Sequence, residues 1–196
     1  MKKFDEGAEA ILFQEKVCSF DALKKLRVEK KYRPEELDVK IRVGRTRIEA
    51  RLMHKVKNAG VLCPYVFGIG EDYILMDKIN GKTLNKLKKV DKKLYKIAGE
   101  YLAKMHKLQI VHGDFTPANL MLGKDGKLYA IDFGLGFVSG DFEDFAVDVL
   151  TMANSVGEKE REEFFEGYLE YGEKRVIERM EKVQKRARYK LRKKGE

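Results

Sequence analysis

Tryptophan is absent from the 196 residues, proline occurs three times and cysteine twice. Cys18 and Cys63 have no metal-ligand spacing, which excludes a disulfide scaffold or zinc motif and reads as two reduced thiols. No Pro-rich linker, low-complexity tract or internal repeat occurs. The longest nearly apolar stretch, Ala59 to Gly70, is too short to cross a bilayer, so no membrane association is expected. Met1-Lys2-Lys3-Phe4-Asp5-Glu6 has no apolar run behind it, which leads to the expectation of no signal peptide and a cytoplasmic location.

What is present supports a folded chain. Hydrophobic residues make up 43% and aromatics 10%, which excludes intrinsic disorder, and a chain of this size hides roughly 70% of its unfolded surface on folding. Charged residues reach 37%, a composition that leans toward thermophilic proteins. The net charge of +9 is uneven. Lys174 to Glu196 holds 11 basic and 3 acidic residues, and Lys24 to Lys57 holds 13 and 5, each block +8 on a slightly acidic remainder. The two blocks read either as contact surfaces or as solvated faces.

The periodicity predicts short strands over the first 30 residues, broken at Gly7 and near Gln14-Glu15, with Asp21 to Leu26 open between strand and helix. Pro34 opens a helical stretch with Leu37, Ile41, Ile48, Leu52 and Val56 on one stripe and a notch at Gly44. Pro64 to Ile69 and Tyr73 to Met76 read as strands of a hairpin, and Asn80-Gly81-Lys82 as a break. Lys92 to Leu108 is amphipathic. Asn119 to Leu122 and Leu128 to Ile131 form a small hairpin, and Phe142 to Val156, Glu158 to Tyr171 and Lys174 to Lys194 are helices. The expected fold class is therefore α+β and bilobal: a sheet-rich N-lobe over 1–76, a helical C-lobe over 77–173, a basic tail over 174–196, and a hinge near Met76 to Ile79.

The chemistry concentrates in Val111-His112-Gly113-Asp114-Phe115-Thr116-Pro117-Ala118-Asn119 and Ile131-Asp132-Phe133-Gly134. Transfer of a γ-phosphoryl group needs a carboxylate to orient the attacking oxygen and oxygen ligands to hold Mg²⁺ against the phosphates. A loop with Asp114 and Asn119, joined by a hairpin to Asp132, supplies both. Singly, each could be a turn or capping residue. Together they resemble the protein-kinase motifs H-R-D-x-x-x-x-N and D-F-G. That resemblance makes Asp114 the catalytic base or the residue that orients the nucleophile, and Asn119 and Asp132 the metal ligands. It also asks for a strand lysine, Lys24 or Lys25, and a helix glutamate, for which Glu49 is the candidate. The bland reading of Glu49 is a surface partner of Arg45. In place of G-x-G-x-x-G, Asp5-Glu6-Gly7-Ala8-Glu9-Ala10 offers a single glycine turn whose amides could face a phosphate of ATP. The catalytic loop lacks its usual arginine, and no A-P-E motif follows Gly134, so a regulated signalling kinase is not expected.

These departures, with Lys25-Leu26-Arg27 leading to Lys31-Tyr32-Arg33-Pro34 and Arg45-Thr46-Arg47-x-Glu49-Ala50-Arg51, resemble one family over nearly the whole chain: the small atypical kinase of the KEOPS (EKC) complex, related to the RIO kinases. The resemblance implies Lys25 as the phosphate lysine, Met76 as the hinge residue at adenine and Asp148 as the brace of the catalytic loop. It implies a cytoplasmic Mg-ATP-dependent serine/threonine kinase or ATPase supporting threonylcarbamoyladenosine formation on tRNA. Its implied partners are the complex's tRNA-modifying catalytic subunit and a small regulatory subunit. Lys185, Arg186, Arg188, Lys190, Arg192, Lys193 and Lys194 are then candidate RNA contacts. Two other readings stand beside it: a small-molecule kinase of the aminoglycoside or choline phosphotransferase type, and a non-catalytic tRNA-binding scaffold.

Overall fold

The computed structural model describes residues 2–7 and 9–193, with the backbone alone for residues 2 and 187–193. An N-terminal sheet is built from β1 (Lys2–Glu6), β2 (Ala10–Val17), β3 (Phe20–Arg27), β4 (Val66–Ile69) and β5 (Tyr73–Asp77), in the order β1-β2-β3-β5-β4. All its pairings are antiparallel. α1 (Glu35–Asn58) crosses between β3 and β4. The second half contains β6 (Gly81–Thr83), α2 (Lys93–Lys107), β7 (Ile110–Val111), β8 (Leu120–Gly123), β9 (Leu128–Ala130), β10 (Phe137–Val138), α3 (Phe142–Asn154), α4 (Glu158–Tyr171) and α5 (Lys174–Lys193). The α+β, bilobal expectation holds.

Several local expectations need correction. β2 runs unbroken through Gln14 and Glu15, and the turn falls one residue past its end, where Cys18 takes a φ of 53°. Asp21 to Leu26 is strand, because it pairs with β2 on one side and β5 on the other. That tertiary pairing overrides a helix-compatible sequence. Gly81 and Lys82 are not a break but lie in β6, paired with β8. Gly44 leaves α1 uninterrupted.

The apolar stripe expected along α1 is only half real. Leu52 and Val56 are buried, while Leu37 and Ile48 are exposed; Asp38, Thr46 and Glu49 are buried instead. The helix thus faces the sheet with carboxylates, which is tolerable only where cations meet them. Asp38 accepts from Arg42 Nε at 2.7 Å and lies 3.5 Å from Arg33. Arg42 also reaches Asp72 at 2.6 Å, tying α1 to the β4–β5 turn.

The main core lies in the helical half, where α2 buries Leu94, Ala98, Tyr101, Leu102 and Met105. α2 and α4 cross backbone to backbone. A Cβ at Gly167 would sit 1.9 Å from the Lys96 carbonyl oxygen, and one at Gly99 would sit 2.1 Å from that of Phe164. α5 docks Val176 and Met180 into this core and lays the Arg175 guanidinium 3.7 Å above the Phe142 ring. Among the described residues no helix is long and apolar enough to cross a membrane.

Candidate active site

Strand alternation separates the two candidate lysines. Lys24 projects over the Tyr73 ring at 4.1 Å. Lys25, on the opposite face, enters the crevice between the two halves. Its Nζ lies 2.6 Å from Glu49 Oε1 and 2.7 Å from Asp132 Oδ1. Burial opposes the Lys25 charge, but Glu49 and Asp132 outweigh it and its pKa is raised. Burial likewise works to raise Asp132, and Lys25 together with the Gly134 amide turns the balance, so its carboxyl is held below the usual range.

Glu49 is no surface partner of Arg45. It is 2% exposed, and its second oxygen accepts from Arg27. Arg45 instead meets Glu9 at 2.8 Å, and Arg27 lies 3.7 Å from the same carboxylate. Glu9 therefore ties the turn after β1 to α1. The Gly7 amide in that turn bonds the Ala10 carbonyl at 3.0 Å, and Ala8 lies outside the described residues. Met76 pairs with Leu23 and Val66, one residue before the sheet ends at Asp77.

On the other wall, Asn119 Nδ2 donates to both the carbonyl and Oδ2 of Asp114, at 2.9 and 2.8 Å. This loop is fastened to the Asp132 turn twice. The Ile131 amide donates to the Asn119 carbonyl at 2.9 Å. His112 Nε2 lies 3.2 Å from the Ile131 carbonyl, and its Nδ1 lies 3.4 Å from the Asp114 amide. Burial lowers the His112 pKa, so the ring is neutral, and these partners place its proton on Nε2. Asp132 has a φ of 59° and its Oδ1 accepts from the Gly134 amide at 3.2 Å. Gly113 has a φ of 81°, and a Cβ there would fall 2.4 Å from the Leu135 carbonyl oxygen.

Asp148 on α3 braces the loop from behind. Its two oxygens accept the amides of His112 and Gly113 at 2.6 and 2.9 Å. His106 on α2 stands 3.5 Å from Asp148 and 2.8 Å from the Tyr168 hydroxyl of α4, and stacks on Phe145. His106 of α2 thereby links the Asp148 carboxylate of α3 to the Tyr168 hydroxyl of α4. Sequence reasoning missed Arg27, His106 and Tyr168. The i,i+2 spacing of Lys25 and Arg27 on one strand face was the available signal for the first; nothing local marks the other two.

Among the described residues no three His, Cys, Asp or Glu side chains cluster to hold a metal by themselves. Asn119 Oδ1 and Asp132 Oδ2 face no hydrogen-bond donor among these residues, and the Asp132 side chain is 54% exposed. Two hard oxygens at the mouth of a crevice suit Mg²⁺, which takes one or two protein ligands and completes its shell with phosphate and water.

Similarity to known proteins follows this geometry. The RIO domain family model matches residues 7–146. A probable serine/threonine-protein kinase BUD32 homolog of Archaeoglobus fulgidus is 38% identical over 172 residues, 84% of this chain and 87% of that protein. The chain belongs to the BUD32 family and carries a RIO domain. Another BUD32-family relative, the EKC/KEOPS complex subunit BUD32 of Encephalitozoon cuniculi, is 34% identical over 93% of each chain. A probable bifunctional tRNA threonylcarbamoyladenosine biosynthesis protein of Methanobrevibacter smithii is 40% identical over 94% of this chain, which spans only 36% of that protein's length. The Rio2 kinase of Chaetomium thermophilum, solved as an ADP/Mg²⁺-phosphoaspartate complex, superposes with a TM-score of 0.66 at 13% identity, covering 95% of this chain and 70% of that one. The BUD32-family chain thus has the bilobal fold of a protein kinase, reduced after Asp132. There Phe137 and Val138 return to pair with β7, and α3 begins at Phe142.

Proposed function

We propose that this chain is a Mg-ATP-dependent serine/threonine kinase or ATPase that serves threonylcarbamoyladenosine formation on tRNA as a KEOPS subunit. One observation carries the catalytic part: Lys25 is held within 2.7 Å of both Glu49 and Asp132 at the junction of the two lobes. Glu49 keeps the ammonium aimed into the crevice, from which it can exchange Asp132 for a phosphate. Asn119 and Asp132 would hold Mg²⁺, which when bound neutralises the phosphates and the charge that develops on transfer. Asn119 fixes one Asp114 oxygen and leaves the other to accept a proton from an attacking hydroxyl or water. The hydrogen bonds of Asp148 and His112 set the loop before the nucleotide arrives, so little reorganisation is left to the reaction.

Gly7, Ala8 and Glu9 would cover the phosphates, and the backbone at Met76 would meet adenine. The short return after Asp132 offers little platform for a peptide, which favours water or the protein's own hydroxyls as acceptor. The tRNA part rests on the names of the relatives and on the basic tail. Lys185 and Arg186 are exposed, although Arg186 leans 3.5 Å from Glu143. Arg188, Lys190, Arg192, Lys193 and Lys194 carry side chains outside the described residues. The complex's catalytic and small regulatory subunits are the proposed protein partners, and the cytoplasm the proposed location. The test is ADP release by the purified chain, with and without a tRNA transcript and a partner subunit. A rise with tRNA or partner supports this reading. Phosphorylation of a small aminoalcohol supports a small-molecule kinase, and no turnover anywhere supports a scaffold.

A further inference from the structure

The cations of α1 fall into two sets. Those turned toward the sheet are all engaged: Arg42 with Asp38 and Asp72, Arg45 with Glu9, and Lys57 with the Cys63 carbonyl at 2.7 Å. At 100° per residue, Lys40, Arg47, Arg51 and Lys55 fall on one stripe, diametrically opposite the buried Asp38, Glu49 and Val56. All four are exposed, and none of their side chains makes an ion pair or hydrogen bond with another described residue. The stripe is about 22 Å long at 1.5 Å per residue. Between Lys40 and Asn58 the only acid is Glu49, which points the other way; Glu36, one turn before Lys40, is the one acid on this face and leaves Arg47, Arg51 and Lys55 unopposed along the helix.

Gly44 sits in the middle of the same stripe. A helix-interior glycine costs about 1 kcal/mol against alanine, and such a cost usually answers a close approach. Inside the protein there is none: a Cβ at Gly44 would meet nothing within 4 Å. A row of four unengaged cations around a bare piece of helix backbone is a surface that a polyanion can approach closely.

We propose that the outward face of α1 binds the sugar-phosphate backbone of RNA, as a contact surface additional to the C-terminal tail. The choice of RNA over an acidic protein rests on the function proposed above; the polyanion chemistry rests on the stripe itself. Contacts of this kind position an RNA without reading its sequence. Each phosphate neutralised adds about 0.7 to 0.9 to the slope of log affinity against log salt.

The experiment titrates a fluorescent tRNA transcript into the full chain at several salt concentrations, alongside ADP release without RNA. The expected result for Arg47→Gln with Arg51→Gln is affinity at least about tenfold weaker at 50 mM salt and a slope shallower by about 1.4 to 1.8. RNA-independent ADP release should be unchanged. Gly44→Glu is the second variant. It introduces a better helix former into open space and an acid beside Lys40, Arg47 and Ile48, and should weaken the same binding without lowering the melting temperature. Unaltered affinity and slope in both variants overturn the proposal and leave the stripe to an acidic protein. That result is separable from failure of the functional reading, which would show as no ADP release by the unsubstituted chain.

Discussion

Lys25 Nζ lies 2.6 Å from Glu49 Oε1, joining residues 24 apart in the chain at a point where both are almost wholly removed from water. Neither charge would be stable there alone. Arg27 shares the same carboxylate, so Glu49 answers two buried cations at once. Glu49→Ala should therefore cost about 3–5 kcal/mol, the scale for leaving buried charge unmatched. Urea denaturation measures it; a loss below about 1 kcal/mol would mean the cluster is far wetter than its burial indicates.

Asp114→Ala should lower ADP release by roughly 10²–10⁴, the range for loss of a positioned general base. The melting temperature should barely move, because Asp114 is only half-buried and its one side-chain partner, Asn119, keeps the Asp114 carbonyl. Steady-state turnover together with thermal melting separates this from a folding defect.

Stability should fall on mild acidification. His106 and His112 are buried, and burial lowers both pKa values below the usual 6.5. The unfolded chain takes up protons near pH 6.5 while the folded one does not, so stability declines as the pH drops below that point, by up to about 2.7 kcal/mol per pH unit for the two together. The Lys25–Asp132 pair adds a separate window. Its depressed carboxyl contributes in full above the unfolded carboxylate value near 3.9 and is lost only as the pH falls further. Denaturation midpoints measured from pH 8 to about 2 check both, and a flat profile between 7 and 5 contradicts the histidine assignment.

Gly113→Ala should destabilise by at least about 2 kcal/mol and depress turnover with it. The position combines a left-handed backbone with a carbonyl 2.4 Å from any added Cβ, and relief requires moving either the Asp114 loop or the Leu135 turn. A soluble, fully active variant would show that this loop is not rigidly held.

Much of this site could be read from sequence because its motifs are compact. Asp114, Asn119 and Asp132 sit in two short stretches whose side-chain chemistry and turn positions agree, and the hairpin between them follows from Gly123 to Gly126. The choice of Lys25 over Lys24 came from resemblance, and strand alternation accounts for it structurally. α1 was harder, since its inward face carries Asp38 and Glu49, and hydrophobic periodicity has no means of seeing a face neutralised by Arg42, Lys25 and Arg27. β7 and β10, two residues each, were invisible for a different reason: they exist only because they pair with each other across 26 residues. His106 and Tyr168 belong to helices whose apolar pattern hides a hydrogen-bonded pair formed 62 residues apart.

The central claim is that the crevice between Lys25 and Asp114 is built for a magnesium-bound nucleotide. Its most direct test is calorimetric titration of ATP into the chain and into Asp132→Asn, each with Mg²⁺ and with EDTA. The account predicts that the unsubstituted chain binds ATP more tightly with Mg²⁺ and that Asp132→Asn loses this difference while still folding. Equal gains from Mg²⁺ in the two proteins would contradict it.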